Sequence, residues 1–550
     1  MSAHSVSNLA GKLPPVEMLV DVGELIRRYY ETKPEYDRVE QRVSFGTSGH
    51  RGSSLSGTFT ETHVLVITQA ICDFRTSHGI TGPLLVGKDT HGLSSPAQKT
   101  VLEVLAGNGV QTIVQSDDEV TPTPVISHAI LERNRGRTDR LADGIILTPS
   151  HNPPEDAGIK YNSIDGGPSD TKKTRWIENR ANEILRNGLA DLKRQSYTKS
   201  LQATTTTEED FLLPYVRQLD QVVDMGCIRD SGLRVGVNPL GGASVRYWEI
   251  IRDHYRLDLS VLDTRSDPTF FFIPVDHDGK IRTDCSSPWV MSQLAARKNE
   301  FGLICANDAD CDRHGIVVPS NGLMAPNHFL AASIHYLLQN RPLWRGASAI
   351  GKTMVSSSII DRLVKSHGRE LFEVPVGFKW FSSGLYQGSL CFAGEESAGA
   401  SFLRRDGTVW TTDKDGFILD FLAAEMTAKM GKDPAMIYRE IEERLGGSFY
   451  TRIDIPVAQA AKKILQSLTP DAITTKELAG DPILKKWTRA PANDESLGGI
   501  KVETENGWFA VRPSGTEELC KIYAESFHDR SHLASIIEEA QAFVRAECGT

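Results

Sequence analysis

Residues 82–118 read GPLLVGKDTHGLSSPAQKTVLEVLAGNGVQTIVQSDD, and their pattern already indicates a fold class. The segments GPLLVGKD and QTIVQSDD are short apolar runs typical of buried strands, and SPAQKTVLEVLAGNG between them has the pattern of a helix. This alternation of strand and helix recurs along the chain, and it predicts α/β domains with largely parallel strand pairing.

The length and composition suit a protein of several domains without membrane or nucleic-acid partners. The chain has 550 residues, of which 40% are hydrophobic and 24% charged, and its net charge is −10. That length fits about three to five domains, and the acidic balance argues against nucleic-acid binding. No run approaches the roughly 18 apolar residues of a membrane span, and no secretory signal is visible at the N-terminus. The eight cysteines form no CxxC pair, so we expect reduced thiols in a cytoplasmic protein.

The order of segments predicts three larger α/β units followed by one smaller C-terminal unit. We place these domains at residues 1–207, 208–321, 322–446 and 447–550. A polar segment at 193–210 is interpreted as a linker.

The strongest chemical motif is an alternation of acids in NDADCDRHG at 307–315, directly after the apolar run FGLICA. Asp308, Asp310 and Asp312 lie so close in sequence that their carboxylates repel one another unless a cation lies among them. Oxygen ligands suit a hard divalent cation, and three of them leave room for a fourth, as Mg²⁺ shared with a phosphate requires. A solvated acidic loop is the alternative.

A serine stands on a stiff turn in LTPSHNPP at 147–154, after the apolar run LADGIIL. Pro149, Pro153 and Pro154 fix φ and remove backbone donors, so the segment cannot continue as a helix. We therefore expect Ser150 at the end of a buried strand with its hydroxyl held out, as a nucleophile or phosphate carrier needs. An ordinary turn serine is the alternative.

Two further loops have the composition of ligand-binding loops. RPSGTEE at 512–518 combines the Arg512 guanidinium with hydroxyls and a glycine, which suits a phosphate cradle or, alternatively, a polar hairpin turn. GEESAGAS at 394–401 places Glu395 and Ser397 on one side of an extended chain, where they could bind paired sugar hydroxyls.

One motif match lacks the context that it needs. GASAIGKT at 346–353 fits the Walker A pattern, but a working phosphate loop needs a strand before its first glycine and a helix after its lysine. The upstream NRPLWR has the character of a loop, and the residues before Lys352 have the character of a strand. We therefore expect no nucleotide site here.

Three basic side chains near these motifs are candidates for binding charge or moving a proton. Arg51 lies in the glycine-rich FGTSGHRG at 45–52, His151 adjoins the serine, and Lys160 follows in GIKYN. A flexible glycine loop and non-catalytic basic residues are the alternatives.

Five blocks together resemble those of the α-D-phosphohexomutase family, in the family's order: FGTSGHRG, TPSHNPPEDAGIKYN, NDADCDRHG, GEESAGAS and RPSGTE. The doubled acid of GEES resembles the glucose-type members, the bacterial-type phosphoglucomutases. The resemblance implies four domains around a central active-site cleft. Three would be similar α/β domains with mixed sheets, carrying the phosphoserine, metal and sugar-binding loops, and the last a smaller α+β domain that binds phosphate.

The resemblance also implies a role for each candidate residue. Ser150 would be the phosphoserine, and its phosphoryl group would join Asp308, Asp310 and Asp312 as ligands of Mg²⁺. The reacting end would be lined by Arg51, His151, Lys160, Arg313 and Lys414. Sugar hydroxyls would meet Glu395, Ser397 and the GFKW loop that begins at Gly377. The second phosphate would be bound by Arg512, Ser514, Gly515 and Thr516. Cys311, where relatives carry Gly, Ala or Tyr, should point away from the metal.

The resemblance implies that the chain would interconvert α-D-glucose 1-phosphate and glucose 6-phosphate. Phosphorylated Ser150 would give its phosphate to the free hydroxyl, form glucose 1,6-bisphosphate, and recover the other phosphate, with Lys160 or His151 moving the proton. We expect a sugar-phosphate ligand and a monomer or homodimer. The alternatives are a phosphomannomutase or other phosphohexomutase, a metal-dependent sugar phosphatase, and a non-catalytic paralogue.

Overall fold

The computed structural model describes residues 6–46, 49–514 and 519–548. They form four main sheets that follow one another along the chain, plus one short two-stranded hairpin. The first three sheets are mixed and carry helices, and the fourth is antiparallel. The fold class predicted from the sequence is confirmed, whereas the chosen domain boundaries stay predictions.

The first domain has a six-stranded sheet with a parallel centre. Its strands are β1 (His50–Ser53), β2 (Leu84–Lys88), β3 (Thr112–Gln115), β4 (Asp143–Leu147), β5 (Asp156–Asn162) and β6 (Thr206–Glu209). Its helices are α1 (Val22–Glu31), α2 (Glu61–Ser77), α3 (Ser94–Gly107), α4 (Thr123–Asn134), α5 (Thr171–Arg186) and α6 (Tyr197–Leu201). The order is β1-β5-β4-β2-β3-β6. All residues of β2, β3 and β4 are buried, as expected for parallel strands covered by helices on both faces.

The segment 193–210 is not the linker that its composition predicts. It contains α6 and β6, and β6 pairs in parallel with β3 at the edge of the first sheet. No residue of β6 is buried, because an edge strand keeps one side open to solvent, and this explains its polar sequence.

The second domain has a five-stranded sheet in the order β11-β10-β9-β7-β8. Its strands are β7 (Val235–Asn238), β8 (Leu259–Val261), β9 (Leu303–Ala306), β10 (Gly315–Val318) and β11 (Gly322–Leu323). Its helices are α7 (Leu212–Gln218), α8 (Met225–Asp230), α9 (Val245–Tyr255) and α10 (Ser292–Ala296). The acidic motif connects β9 to its antiparallel neighbour β10.

The third domain has a four-stranded sheet in the order β13-β12-β14-β15. Its strands are β12 (Ala349–Thr353), β13 (Leu371–Val374), β14 (Leu390–Glu395) and β15 (Gly399–Phe402). Its helices are α11 (Pro326–Asn340), α12 (Ile359–Ser366), α13 (Ser382–Gln387), α14 (Gly416–Met430) and α15 (Pro434–Leu445).

The C-terminal domain is smaller and has an antiparallel sheet in the order β16-β22-β21-β20-β19. Its strands are β16 (Phe449–Pro456), β17 (Glu477–Leu478), β18 (Asp481–Pro482), β19 (Lys485–Arg489), β20 (Ser496–Glu503), β21 (Gly507–Pro513) and β22 (Leu519–Ser526). Strands β17 and β18 form the separate hairpin, and the helices are α16 (Gln459–Gln466) and α17 (Arg530–Cys548).

One apolar core runs through the first three domains and fixes how they meet. It contains Ile146 from the first domain, Trp248 from the second and Phe417 from the third. The C-terminal domain has a core of its own and touches the third domain through a small cluster that includes Val355 and Trp508. The first three domains therefore form a common platform, against which the fourth packs through a smaller contact.

Two expectations drawn from composition can be compared with the described residues. All eight cysteines are free thiols, as their spacing predicts. Within the described ranges, no helix combines the length and apolarity that crossing a membrane would need.

Candidate active site

Ser150 lies directly after β4, and its backbone has an unusual conformation. Its φ is 61°, in the left-handed region that non-glycine residues seldom adopt and that often occurs where a side chain is held for function. The Ser150 N–H donates to Thr148 Oγ1 at 2.8 Å, which stabilises the turn. The side chain is fully buried, so the hydroxyl that this turn holds out is not exposed to solvent. It faces the second domain instead.

The strand order of the first sheet brings two basic residues to this turn. β5 pairs with β4 so that Lys160 lies beside Ile146, and β1 pairs with β5 so that Arg51 lies beside Gly158. A Cβ on Gly158 would lie 2.2 Å from the carbonyl oxygen of Thr148, so only glycine permits this close approach.

The acidic loop of the second domain meets Ser150 directly. Ser150 Oγ donates to Asp308 Oδ2 at 2.7 Å and lies 3.5 Å from Asp312 Oδ1. Asp308, Asp310 and Asp312 are all buried, and each offers a carboxylate oxygen within 4.8 Å of the others. The backbone N–H groups of Asp312 and Arg313 donate to Asp308 Oδ1 at 3.0 and 3.1 Å and fix the loop. The structure thus unites the serine and the three acids that the sequence singled out.

Three cations from three domains contact this acid triad. Lys160 Nζ lies 2.7 Å from Asp310 Oδ2, and Lys414 Nζ lies 3.0 Å from Asp312 Oδ2. Arg313 Nε lies 3.7 Å from Asp312 Oδ1. The side chain of Lys414 passes over the β14–β15 hairpin, where a Cβ on Gly399 would come within 2.2 Å of it.

Burial and charge move the pKa values of these groups in opposite directions. Burial, followed by the neighbouring Asp312 and Asp310 charges, raises the pKa of Asp308 well above its ordinary value. Burial alone would raise the pKa of Asp312, but the ammonium groups of Lys414 and Lys160 lower it. Burial alone would lower the pKa of Lys160, but the Asp310 and Asp312 charges raise it, so this lysine is protonated.

The acid triad has the donors that a hard divalent cation needs. Its ligands are all carboxylate oxygens, the type that Mg²⁺ and Ca²⁺ prefer. Asp310 Oδ1 is buried and has no hydrogen-bond partner, which leaves an acceptor available for an ion. Burial beside Asp312 and Asp310 raises the pKa of Asp308, and a cation among these acids would oppose that shift. The triad can therefore hold a metal ion.

Partly exposed side chains form the accessible side of the site. Arg51, His151, Arg313 and Lys414 are all intermediate in exposure, unlike the buried serine and acids. Arg51 Nη1 donates to Asn152 Oδ1 at 3.2 Å, beside the serine turn. Burial, with the nearby Arg313 charge, lowers the pKa of His151 well below its ordinary value, so this imidazole is neutral.

The predicted sugar-binding residues lie beside this cationic surface. Glu395 ends β14, and its Oε1 accepts from the backbone N–H of Gly377 at 2.9 Å, which joins the GEES and GFKW loops. Burial raises the pKa of Glu395, and the Lys414 charge opposes that shift. The backbone carbonyl of Ser397 accepts from Arg313 at 3.1 Å, which connects this loop to the acid triad.

Only part of the predicted second phosphate site lies within the described residues. Arg512 is the second-last residue of β21, and the Ser514 N–H donates to the carbonyl of Leu519 at 2.8 Å. Gly515 and Thr516 lie outside the described residues. Burial lowers the pKa of Lys379 in the GFKW loop; the Asp170 charge opposes this shift and the Arg512 charge adds to it. Lys379 and Arg512 therefore bring two positive charges towards the same region.

Sequence reasoning missed a threonine that contacts the acid triad. Thr123 Oγ1 donates to Asp310 Oδ2 at 2.7 Å, and the Thr123 N–H donates to the Asp310 carbonyl at 2.9 Å. Thr123 lies in TPTP at 121–124, between prolines, much as Ser150 lies in TPSHNPP. That shared context is the signal that could have identified it.

A buried pair behind the serine turn was also missed. Asp89 accepts from Thr148 Oγ1 at 2.6 Å and pairs with His91 Nδ1 at 2.8 Å. His91 Nε2 lies 3.1 Å from the carbonyl oxygen of Asn152. The pair thus holds both sides of the turn that carries Ser150.

Two expectations about individual residues agree with the structure. Cys311 is buried in the shared core, so its side chain points away from the acid triad. Lys352 of the Walker-like segment is on β12 and buried, and it pairs with Asp361 at 2.6 Å and Glu373 at 3.1 Å. Its ammonium group forms ion pairs within the third domain and does not belong to a phosphate-binding loop.

Comparison with known proteins gives matches along most of the chain. Profiles of the phosphoglucomutase/phosphomannomutase family match in order: alpha/beta/alpha domain I at residues 42–187, domain II at 213–322, domain III at 325–445 and the C-terminal domain at 471–542. A phosphoglucomutase of Komagataeibacter xylinus is 53% identical over 542 residues, which cover 98% of each chain.

Solved structures show the same fold. Parafusin, a phosphoglucomutase from Paramecium solved in an open form, has a TM-score of 0.73 and 19% identity, covering 94% of this chain and 97% of its own. An N-acetylphosphoglucosamine mutase of Aspergillus fumigatus, solved with GlcNAc-6P and magnesium, has a TM-score of 0.55 and 13% identity, covering 96% and 99%. The same fungal protein was also solved, as a variant, with glucose 1,6-bisphosphate. With its four domains matched in order and a full-length relative at 53% identity, the chain belongs to the phosphoglucomutase/phosphomannomutase family.

Proposed function

We propose that this protein is an isomerase, a phosphoglucomutase that interconverts α-D-glucose 1-phosphate and glucose 6-phosphate through a phosphoserine at position 150. The observation that carries the proposal is the 2.7 Å contact between Ser150 Oγ and Asp308, inside a buried acid triad. The relative that is 53% identical is named a phosphoglucomutase, and this name supports glucose over mannose as the sugar of the substrate.

The charges around Ser150 favour a phosphoserine together with a divalent cation. Three buried acids contact three cations, Lys160, Arg313 and Lys414, so these six groups offer about equal numbers of positive and negative charges. Burying two further positive charges would require about two further negative charges, and a phosphoserine carries about that charge at neutral pH. Mg²⁺ and phosphorylated Ser150 would therefore bind together more readily than either would alone.

The proposed magnesium site consists of Asp308, Asp310 and Asp312, with the phosphoryl group of Ser150 as a further ligand. When bound there, the ion would neutralise charge on the phosphoryl group during transfer. Magnesium and glucose 1,6-bisphosphate in complexes of the fungal relative support the same cofactor and intermediate here.

The protein's own residues would then position the reactants. Ser150 carries the phosphoryl group; Arg51, Arg313 and Lys414 offer positive charge on its accessible side. The hydroxyl that receives the phosphoryl group must lose a proton, and neutral His151 is the nearby group that can accept it. Lys160, the other candidate, is kept protonated by Asp310 and Asp312, so it would supply positive charge and would not act as the base. Burial of Ser150 keeps bulk water from the phosphoserine, so transfer to the sugar is favoured over hydrolysis.

The sugar and its second phosphate would be bound by the third and fourth domains. Glu395 and Ser397, beside Gly377, are proposed to bind sugar hydroxyls. Arg512, Ser514, Gly515 and Thr516 are proposed to hold the phosphate that does not react. Because the substrate must bind in two orientations, this second pocket has to accept either phosphate of glucose 1,6-bisphosphate. The charge of Lys379 near Arg512 supports an anion site there.

The proposal is tested by a coupled assay for glucose 6-phosphate formed from glucose 1-phosphate, with Mg²⁺ and a trace of glucose 1,6-bisphosphate. The wild-type protein and the control Ser200→Ala, a buried serine in α6, should be active. Ser150→Ala should lose at least about a thousandfold in rate, because the phosphate carrier is absent. Full activity in Ser150→Ala would refute the phosphoserine, and release of inorganic phosphate without glucose 6-phosphate would favour a phosphatase. Mannose 1-phosphate, tested in parallel, should react more slowly.

A further inference from the structure

A second group of metal-ligating side chains lies on the C-terminal domain, away from the acid triad. It consists of Asp481 on β18, His528 between β22 and α17, and His532 near the start of α17. Each offers one ligand atom within 4.8 Å of the other two. We propose that these three side chains bind a divalent transition cation, with Zn²⁺ as the type of ion that fits best.

The distances agree with a three-ligand metal site. Asp481 Oδ2 lies 3.6 Å from His528 Nε2 and 3.7 Å from His532 Nε2. Ligand atoms around a tetrahedral Zn²⁺ with bonds of about 2.0–2.1 Å are about 3.3 Å apart, so shifts of a few tenths of an ångström would complete the site. Three protein ligands leave the fourth position for water or another small ligand.

His532 is already oriented to use Nε2 as a ligand. Its Nδ1 lies 2.8 Å from the hydroxyl of Ser526, which is itself buried, and its Nε2 is buried without a hydrogen-bond partner. When Nδ1 donates to that hydroxyl, Nε2 keeps its lone pair and faces the other two ligands. A second hydrogen bond of this kind is what normally fixes a metal-binding histidine.

A simple ion pair explains the geometry less well. A protonated histidine that pairs with Asp481 would approach to hydrogen-bond distance, whereas both Nε2 atoms stay at 3.6 Å or more. The two histidines and the aspartate instead each offer a ligand atom within 4.8 Å of the other two, a spacing that a common ion can bridge. Asn506 Nδ2 donates to the same Asp481 oxygen at 3.3 Å and helps to hold the carboxylate in place.

The donor types of the two sites favour different metals. Two imidazoles and one carboxylate suit Zn²⁺ and its neighbours among the transition metals, whereas the all-oxygen triad at Asp308, Asp310 and Asp312 suits Mg²⁺. Zn²⁺ bound at Asp481, His528 and His532 should therefore leave the acid triad free for Mg²⁺, and Mg²⁺ in the triad should leave the histidine site free for Zn²⁺.

A bound cation would also connect two parts of the C-terminal domain. Asp481 lies on the β17–β18 hairpin, which is separate from the main sheet; His528 lies just before α17 and His532 in its first turn. A hydrogen bond of 2.9 Å from the Ala479 N–H to Glu539 already links this hairpin to the helix. Because metal bound only by the folded state stabilises it, Zn²⁺ should raise the unfolding temperature of the protein.

The experiment is a Zn²⁺ titration of the full chain against a chromophoric chelator, in Mg²⁺ high enough to saturate the acid triad. We expect one equivalent of Zn²⁺ in the wild type, and, with Co²⁺ alone, the visible absorption of a tetrahedral site. His528→Ala and His532→Ala should lose this equivalent, and Ser526→Ala should weaken it by about tenfold. The matched control is His254→Ala, an exposed histidine outside the cluster, which should bind as the wild type does.

Two results would overturn the proposal. One is an absence of Zn²⁺ binding by the wild type once Mg²⁺ is present. The other is an equivalent of Zn²⁺ that survives His528→Ala but is lost in Asp308→Asn, which would assign it to the acid triad. His528 is about half exposed, so its variant should fold and decides the question even if His532→Ala does not. Mutase activity plays no part in the readout, so this test and the test of the proposed function can fail independently.

Discussion

Ser150 Oγ and Asp308 Oδ2 lie 2.7 Å apart although the two residues belong to different domains and are separated by 158 positions in the chain. The contact is buried and depends on the shared core that joins the first three domains. A substitution that shifts the first domain relative to the second at the Ser150–Asp308 contact should therefore affect metal binding and phosphoryl transfer together.

Removal of one acid from the triad should weaken magnesium binding. In Asp310→Asn one charged ligand is lost, so we expect the affinity for Mg²⁺ to fall by at least about tenfold and the rate of the mutase reaction with it. The measurement is the Mg²⁺ dependence of the coupled assay. Asp278→Asn, in a turn of the second domain, is the control and should behave as the wild type. An unchanged Mg²⁺ dependence in Asp310→Asn would place the metal elsewhere.

The Asp89–His91 pair behind the serine turn should give the stability a distinct pH dependence. Burial opposes both charges, but the Asp89 charge raises the pKa of His91, and the His91 charge lowers the pKa of Asp89. The contribution of His91 to the free energy of unfolding is then fully present below the pKa of histidine in the unfolded chain, about 6.5. It is lost as pH rises through the higher pKa that His91 has in the folded protein. The contribution of Asp89 to the free energy of unfolding is fully present above the pKa of aspartate in the unfolded chain, about 3.9. It is lost as pH falls through the lower pKa that Asp89 has in the folded protein.

The comparison of wild type with His91→Gln tests this pair. The difference in free energy of unfolding, from urea denaturation across the pH range, should be largest between about pH 4 and pH 6.5 and should shrink at higher pH. His254→Gln serves as the exposed control and should show no such difference. If the difference grew on going to alkaline pH, the pair would not be charged in the folded state.

Lys352 should be important for stability and not for nucleotide binding. Lys352→Ala would remove the buried cation that pairs with Asp361 and Glu373, although Glu373 would keep Lys501 at 3.4 Å, so the free energy of unfolding should fall by about 1–3 kcal/mol. The exposed control Lys365→Ala, on α12, should change it by less than about 0.5 kcal/mol. Urea denaturation measures both. A stable Lys352→Ala protein, or ATP binding that the substitution removes, would restore the phosphate-loop interpretation.

Much of the fold and of the candidate site could be predicted because the informative residues are close together in sequence. The apolar runs of β2 and β3 define buried parallel strands, and the alternating acids at 308–312 define a ligand set on one loop. The five blocks also resemble one family in a fixed order, which indicates the fold of the whole chain.

What could not be predicted depends on contacts that only the folded chain creates. Thr123 reaches Asp310 across a domain boundary, and His91, after β2, reaches Asn152, after the neighbouring strand β4. The proline context singles out Thr123 but does not reveal its partner, and His91 has no such context. The segment 193–210 was misinterpreted because an exposed edge strand has the polar composition of a linker. The burial of Ser150 was also missed, since its partner Asp308 is far away in sequence.

The most direct test of the central claim is the intact mass of the protein before and after incubation with glucose 1,6-bisphosphate and Mg²⁺, followed by peptide mapping. One phosphoryl group, about 80 Da, should be present after incubation and should map to Ser150. Glucose 1-phosphate without bisphosphate should then be able to exchange with this group. A protein that carries no phosphoryl group after incubation, or carries it at another residue while it converts glucose 1-phosphate, would contradict the account.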